Sequence, residues 1–176
     1  MSVIKSLAYD MFVDGSPGPK KGKGWAGWGF VLMAGDEAVH EACGVTSERL
    51  STNAIELEAL IQGLCYLLRQ SMPCVTQVWT DSQYVAETMA ALPLLGRKNF
   101  EDERGKKIPN ADRIHLLYDL MYNMDMNELS IVRKVKGHTG IAGNEMADKL
   151  SKLAAYKGEM WYKDNRAIIY ESETEQ

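Results

Sequence analysis

The spacing of apolar residues changes period once, near residue 50, and this restricts the fold more than any other feature. Before it, Leu7 to Val13, Trp25 to Ala34 and Glu37 to Val45 read as three strands. They are separated by Asp14-Gly15-Ser16, a turn-rich stretch from Pro17 to Gly24, and a hairpin turn at Gly35-Asp36. After it, Ile55, Leu57, Leu60, Ile61, Leu64, Leu67 and Leu68 recur at helical spacing. Ser51, Thr52 and Asn53 suit the start of that helix, and Pro73 lies just past its end. Val75 to Thr80 predicts a fourth strand, Gln83 to Leu92 and Ala111 to Met124 two helices, and Leu129 to Val135 a fifth strand. A glycine-rich loop, Gly137 to Gly143, leads to a last helix over Asn144 to Tyr156. Three strands followed by alternating helices predict an α/β fold with a five-stranded mixed sheet, three antiparallel strands and then parallel ones, flanked by helices. Residues 1–158 are expected to form one domain and 159–176 a C-terminal extension with an acidic tail. Trp161 to Tyr170 fits either a short extra strand or an ordered arm.

A chain of 176 residues can bury a core without disulfides or a structural metal. No apolar run reaches the length of about 20 residues that a membrane span needs, and Met1 to Asp10 lacks the apolar centre of a signal peptide. Cys43, Cys65 and Cys74 form no C-x-x-C pair, which argues against a disulfide framework and a zinc site. A reducing, cytoplasmic setting and a monomer are the expectations. The formal net charge of −4 argues at first against a nucleic-acid binder.

Four carboxylates stand where elements begin or end: Asp14, Glu56, Asp81 and Asp148. Adjacent first and fourth strands would bring Asp14 and Asp81 together. Clustered acids repel and must be protonated or neutralised by cations, and oxygen-only ligands suit Mg²⁺ or Mn²⁺. Each residue also has a plainer reading. Asp14 and Asp81 suit turns, Glu56 stands three residues after Asn53 as in a capping box, Asp148 complements a helix dipole, and His138 suits a solvated loop.

The contexts of these residues are Val13-Asp14-Gly15-Ser16, Thr52-Asn53-Ala54-Ile55-Glu56-Leu57, Thr80-Asp81-Ser82-Gln83-Tyr84-Val85, Val135-Lys136-Gly137-His138-Thr139-Gly140, and Gly143-Asn144-Glu145-Met146-Ala147-Asp148. In this order they resemble ribonuclease H of type 1, from about Leu7 to Ala155. The resemblance implies an endonuclease that hydrolyses the RNA strand of an RNA–DNA hybrid. It implies that Asp14, Glu56, Asp81 and Asp148 hold two Mg²⁺ ions about 3.5–4 Å apart, Mn²⁺ being a possible substitute. His138 would assist proton transfer or product release, and the products would carry 5′-phosphate and 3′-hydroxyl ends. Gly15, Ser16, Asn53 and Gln83 match positions beside the scissile strand, and Thr52 is placed at the DNA side. The expected partner is an RNA–DNA hybrid duplex, with no obligate protein partner and no membrane.

Three departures from the family pattern stand out. The loop after Asp14 is long and carries Lys20, Lys21 and Lys23. The segment from Pro93 to Pro109 replaces a tryptophan-bearing basic protrusion with five cations, three anions and no Trp. No separate hybrid-binding module is expected before the first strand. The four candidate carboxylates equal the whole acidic excess of 24 over 20, so the net charge is compatible with a phosphate-binding face. Lys20, Lys21, Lys23, Arg133, Lys134 and Lys136 are the candidates to line it.

Overall fold

The computed structural model describes residues 9–19, 25–70, 75–123 and 132–164. Within them the elements are β1 (Tyr9–Ser16), β2 (Gly27–Ala34), β3 (Glu37–Val45), α1 (Thr52–Gln70), β4 (Val75–Thr80), α2 (Gln83–Arg97), α3 (Ala111–Asn123), β5 (Val132–Lys134), α4 (Ala142–Lys157) and β6 (Trp161–Asp164). The sheet runs β5-β4-β1-β2-β3-β6. Strands β1, β2, β3 and β6 pair antiparallel in turn, whereas β4 lies parallel to both β1 and β5. The mixed α/β sheet is therefore as expected, with one strand more. The lysines of the loop after Asp14, Pro73, Cys74, the start of the predicted fifth strand and the acidic tail lie outside the described residues.

The extra strand has a local cause. Gly158 ends α4 in the left-handed conformation (φ 67°), with its N–H on Ala154 O at 2.9 Å. Glycine adopts this backbone without Cβ strain, so it commonly closes helices. The chain then turns back along the free edge of β3, pairing Ala42 with Tyr162 and Cys43 with Trp161. Trp161 packs on the buried group formed by Cys43, Leu150 and Ala154.

Alternation along β1 sorts its side chains onto two faces. Met11 and Val13 point at α1, whose Gly63 sits so close that a Cβ there would lie 2.8 Å from Met11 Sδ. Together with Phe30, Leu32, Leu60, Leu64 and Leu117 they belong to the main core, shared with α1 and α3. Burying each such side chain stabilises the fold by about 1.5–3 kcal/mol. Phe12 and Asp14 point the other way, toward α4. The Phe12 ring occupies the space that a side chain at Gly143 would need, and it joins Val31, Met33 and Ala147 in a second apolar group.

Helix α2 extends past Pro93, beyond the end expected at Leu92. It stops where Asn99 (φ 53°) and Phe100 (φ 56°) take the left-handed conformation. For a bulky residue this backbone costs on the order of 1–3 kcal/mol. Burial of the Phe100 ring against His115 and Tyr118 offsets it.

Candidate active site

Parallel pairing of β1 with β4 aligns Val13 with Thr80. The next residue after each is an aspartate, so Asp14 and Asp81 emerge side by side from the same end of the sheet. Glu56 arrives from the opposite layer. Its approach depends on Gly15, where a Cβ would lie 2.6 Å from both the carbonyl carbon and the oxygen of Ile55 and 2.7 Å from Glu56 N. Without that side chain, Gly15 N–H donates to Glu56 Oε2 at 3.2 Å. The helix start is capped by Ser51, whose Oγ accepts from Ala54 N–H at 3.2 Å. Glu56 therefore does not serve as the acid of a capping box with Asn53, and it lies beyond the first turn of α1.

Asp14, Glu56 and Asp81 offer carboxylate oxygens that all lie within 4.8 Å of one another. Asp14 and Glu56 are only 5% and 7% exposed. Burial is the main reason the Asp14 carboxyl is pushed up from 3.8 to about 7; the charges of Asp81 and Asp148 add to the effect, and the hydrogen bond from Ser151 opposes it. Glu56 is pushed up from 4.5 to about 9, first by burial and then by the charge of Asp14. Three clustered carboxylates, two of them buried and resisting ionisation when no counter-charge is near, suit a hard divalent cation, whose charge makes their ionisation favourable. The donor set fits such an ion and offers no soft ligand.

Asp148 is half-buried in α4 and stands outside this tight trio. Lys152, one turn on, donates to Asp148 Oδ2 at 2.8 Å. The charge of Asp148 still reaches Asp14 and Glu56. Helix α4 is seated on β2 at two glycines. A Cβ at Gly29 would come 2.6 Å from Leu150 Cβ and 2.7 Å from Ser151 N, and one at Gly27 would collide with the backbone of Ser151 and Ala155.

The remaining expected residues lie on the same elements or on the segments next to them. His138 is exposed, with a left-handed backbone (φ 55°), in the turn before α4. The preceding Gly137 packs against Asp81, where a Cβ would lie 2.8 Å from Asp81 Oδ2. Thr52 and Asn53 are exposed at the open end of α1. Gln83 is exposed and donates to Glu87. Ser16 is buried, and its Oγ accepts from Gly18 N–H at 3.4 Å. Arg133, Lys134 and Lys136 are exposed along and just after β5.

Sequence reasoning missed Ser151. It is fully buried and its Oγ donates to Asp14 Oδ2 at 2.7 Å. The available signal was a hydroxyl on the apolar stripe Ala147, Leu150, Ala154 of the last helix, one turn after Asp148.

An α/β sheet that brings Asp14 and Asp81 together at the ends of two parallel strands, with Glu56 beside them from α1, presents an oxygen-only set of the kind that serves metal-assisted chemistry on phosphate esters. Comparison with known proteins narrows this class. The family model described as RNase H matches residues 7–156, and the chain belongs to the RNase H family. A ribonuclease H from Cyanothece sp. is 31% identical over 153 residues, covering 86% of this chain and 89% of the relative. One from Rhizobium johnstonii is 33% identical over 162 residues, covering 92% and 97%. The crystal structure of LC9-RNase H1, a type 1 RNase H with the type 2 active-site motif, superposes with a TM-score of 0.70 at 16% identity, over 96% of this chain and 82% of that one. A foamy viral protease-reverse transcriptase in complex with an RNA/DNA hybrid superposes with a TM-score of 0.73 at 19% identity, over 86% of this chain and 20% of that one. These two structures speak for the fold. Among the described residues no helix is long and apolar enough to cross a membrane.

Proposed function

We propose that this protein is a ribonuclease H that hydrolyses the RNA strand of RNA–DNA hybrids, with Asp14, Glu56, Asp81 and Asp148 holding Mg²⁺ or Mn²⁺. The observation that carries this reading is the convergence of Asp14, Glu56 and Asp81 within 4.8 Å in a chain whose relatives are named ribonuclease H. When bound, the divalent ions supply activation of the attacking water and neutralise charge on the 3′-oxygen leaving group. The chain's own groups do the rest. Asp14 and Asp81 present oxygens from the sheet, Glu56 closes the far side under the Gly15 amide, and Asp148 completes the acidic edge from α4. His138, exposed and beside Asp81 through Gly137, moves a proton to or from the leaving strand. Gly15, Ser16, Thr52, Asn53 and Gln83 line the approach. Donor and acceptor groups there suit the 2′-hydroxyls that distinguish RNA from DNA. Residues 1–158 form the catalytic unit, and 159–176 are an extension whose Trp161–Asp164 segment adds a strand beside β3.

The test is cleavage of labelled RNA–DNA hybrid, duplex DNA and duplex RNA, with EDTA and then metal add-back. Cleavage of the hybrid's RNA strand alone, abolished by EDTA and restored by Mg²⁺ or Mn²⁺, is expected. Equal cutting of duplex DNA, or hybrid cutting that survives EDTA, overturns the reading.

A further inference from the structure

The Asp14 carboxylate is joined to α4 through a residue 137 positions later in the chain. Ser151 Oγ lies 2.7 Å from Asp14 Oδ2 and 2.9 Å from the carbonyl oxygen of Asp148. A helical serine commonly returns its hydroxyl to the carbonyl a turn earlier, which would make Ser151 a locally satisfied polar residue and nothing more. A hydroxyl has one hydrogen to give. The carboxylate is the nearer acceptor, and hydrogen bonds to ionised oxygens are shorter and stronger than those to neutral carbonyls. The donor therefore belongs to Asp14 whenever Asp14 is ionised, which is the form that binds a cation.

Two further observations show that the contact is built into the fold. Ser151 has no exposed surface, so water does not compete for the bond. The turn of α4 carrying it rests on Gly27 and Gly29, where the backbone of Ser151 approaches β2 more closely than any side chain there would permit. The same turn carries Asp148, so one rigid segment sets the place of one acid and the orientation of another.

We infer that Ser151 is a positioning residue for the metal site: by holding the plane of the Asp14 carboxylate it presets that group for divalent cations. This rests on the metal-dependent reading above. Partners that orient a metal ligand are typically worth about 10- to 100-fold in metal affinity when removed.

The test measures metal binding directly, without nucleic acid, by titrating Mn²⁺ into the full-length protein in a calorimeter. Ser151→Ala removes the donor; Ser151→Cys keeps the size with only a weak donor. Both variants are expected to bind Mn²⁺ about 10- to 100-fold more weakly. In hybrid cleavage the concentration of Mg²⁺ giving half-maximal rate should rise, while KM for hybrid at saturating Mg²⁺ stays unchanged. Melting temperatures without metal separate packing from positioning. Mn²⁺ affinity equal to the parent's in both variants, with or without a lower melting temperature, overturns the inference and leaves the functional reading standing. A parent protein that binds no Mn²⁺ and cuts no hybrid overturns both.

Discussion

The amide of Gly15 donates to Glu56 Oε2 across 3.2 Å, joining the end of the first strand to the side of the first helix. The bond exists because residue 15 has no side chain. A methyl group there would stand 2.6 Å from the Ile55 carbonyl, well inside contact distance. Gly15→Ala should therefore force α1 away from β1. The expected cost is about 1–3 kcal/mol of stability, as for other overpacked interiors, with loss of most hybrid cleavage because Glu56 retreats from Asp14 and Asp81. Chemical denaturation and the cleavage assay check this together. A stable, fully active alanine variant would show that the contact has no role in placing Glu56.

Asp14→Asn tests the acidic centre itself. It keeps the shape and still accepts from Ser151, but removes one buried charge. Cleavage should fall by at least about a hundredfold, the scale of losing a group that stabilises charge in the transition state. Without metal the variant should melt at the same temperature as the parent or higher, since Asp14 no longer opposes Glu56, Asp81 and Asp148. With Mg²⁺ it should gain much less stability than the parent. Differential scanning calorimetry with and without Mg²⁺ decides it.

The raised carboxyls make stability depend on pH in a stated direction. Asp14 at about 7 and Glu56 at about 9 hold protons in the folded state that the unfolded chain releases near 3.8 and 4.5. The folded state thus binds more protons across this window, so stability falls as pH rises. The contribution is fully present below about pH 4 and is lost as pH passes through 7 and toward 9. Other carboxylates add their own acid-side dependence, so the useful comparison is between pH 6 and pH 9. The metal-free melting temperature should drop over that range, and saturating Mg²⁺ should flatten the drop by favouring the ionised acids. A metal-free profile that rises across the same range would contradict the burial of Asp14 and Glu56.

His138→Ala should lower kcat by about a hundredfold, toward the smaller end of general acid–base contributions, and leave KM for hybrid and Mn²⁺ affinity near the parent values. The side chain is exposed in a turn, so folding should be unaffected. Steady-state kinetics at saturating metal read this directly. A change confined to KM would make His138 a grip on substrate instead.

Much of this site was legible from local pattern because two of its acids sit at or near strand ends. The end of an apolar strand followed by Asp-Gly-Ser or Asp-Ser-Gln marks Asp14 and Asp81, and parallel pairing of those strands does the rest. Glu56 was harder to read. Three residues after Asn53 it imitates a capping acid, and only the cap at Ser51 and the Gly15 amide reveal its direction. Ser151 was not legible as a site residue, because its meaning depends on how deeply α4 sinks onto Gly27 and Gly29. The sixth strand escaped a firm reading for a similar reason: four residues carry little periodicity, and their partner, β3, lies over a hundred residues earlier. The end of α2 hinged on burial of Phe100, which allows a left-handed turn that local preference disfavours.

The seat of α4 on Gly27 and Gly29 has a consequence for the order in which the protein is made. A chain synthesised from its N-terminus carries Asp14, Glu56 and Asp81 well before Asp148 and Ser151 exist. Until the last helix has emerged and docked, β2 lacks its cover on that face and Asp14 lacks its hydroxyl partner. On the reading proposed above, a growing chain would hold three acids of the site without a working blade, and nucleic acid near the ribosome would be spared until α4 has docked.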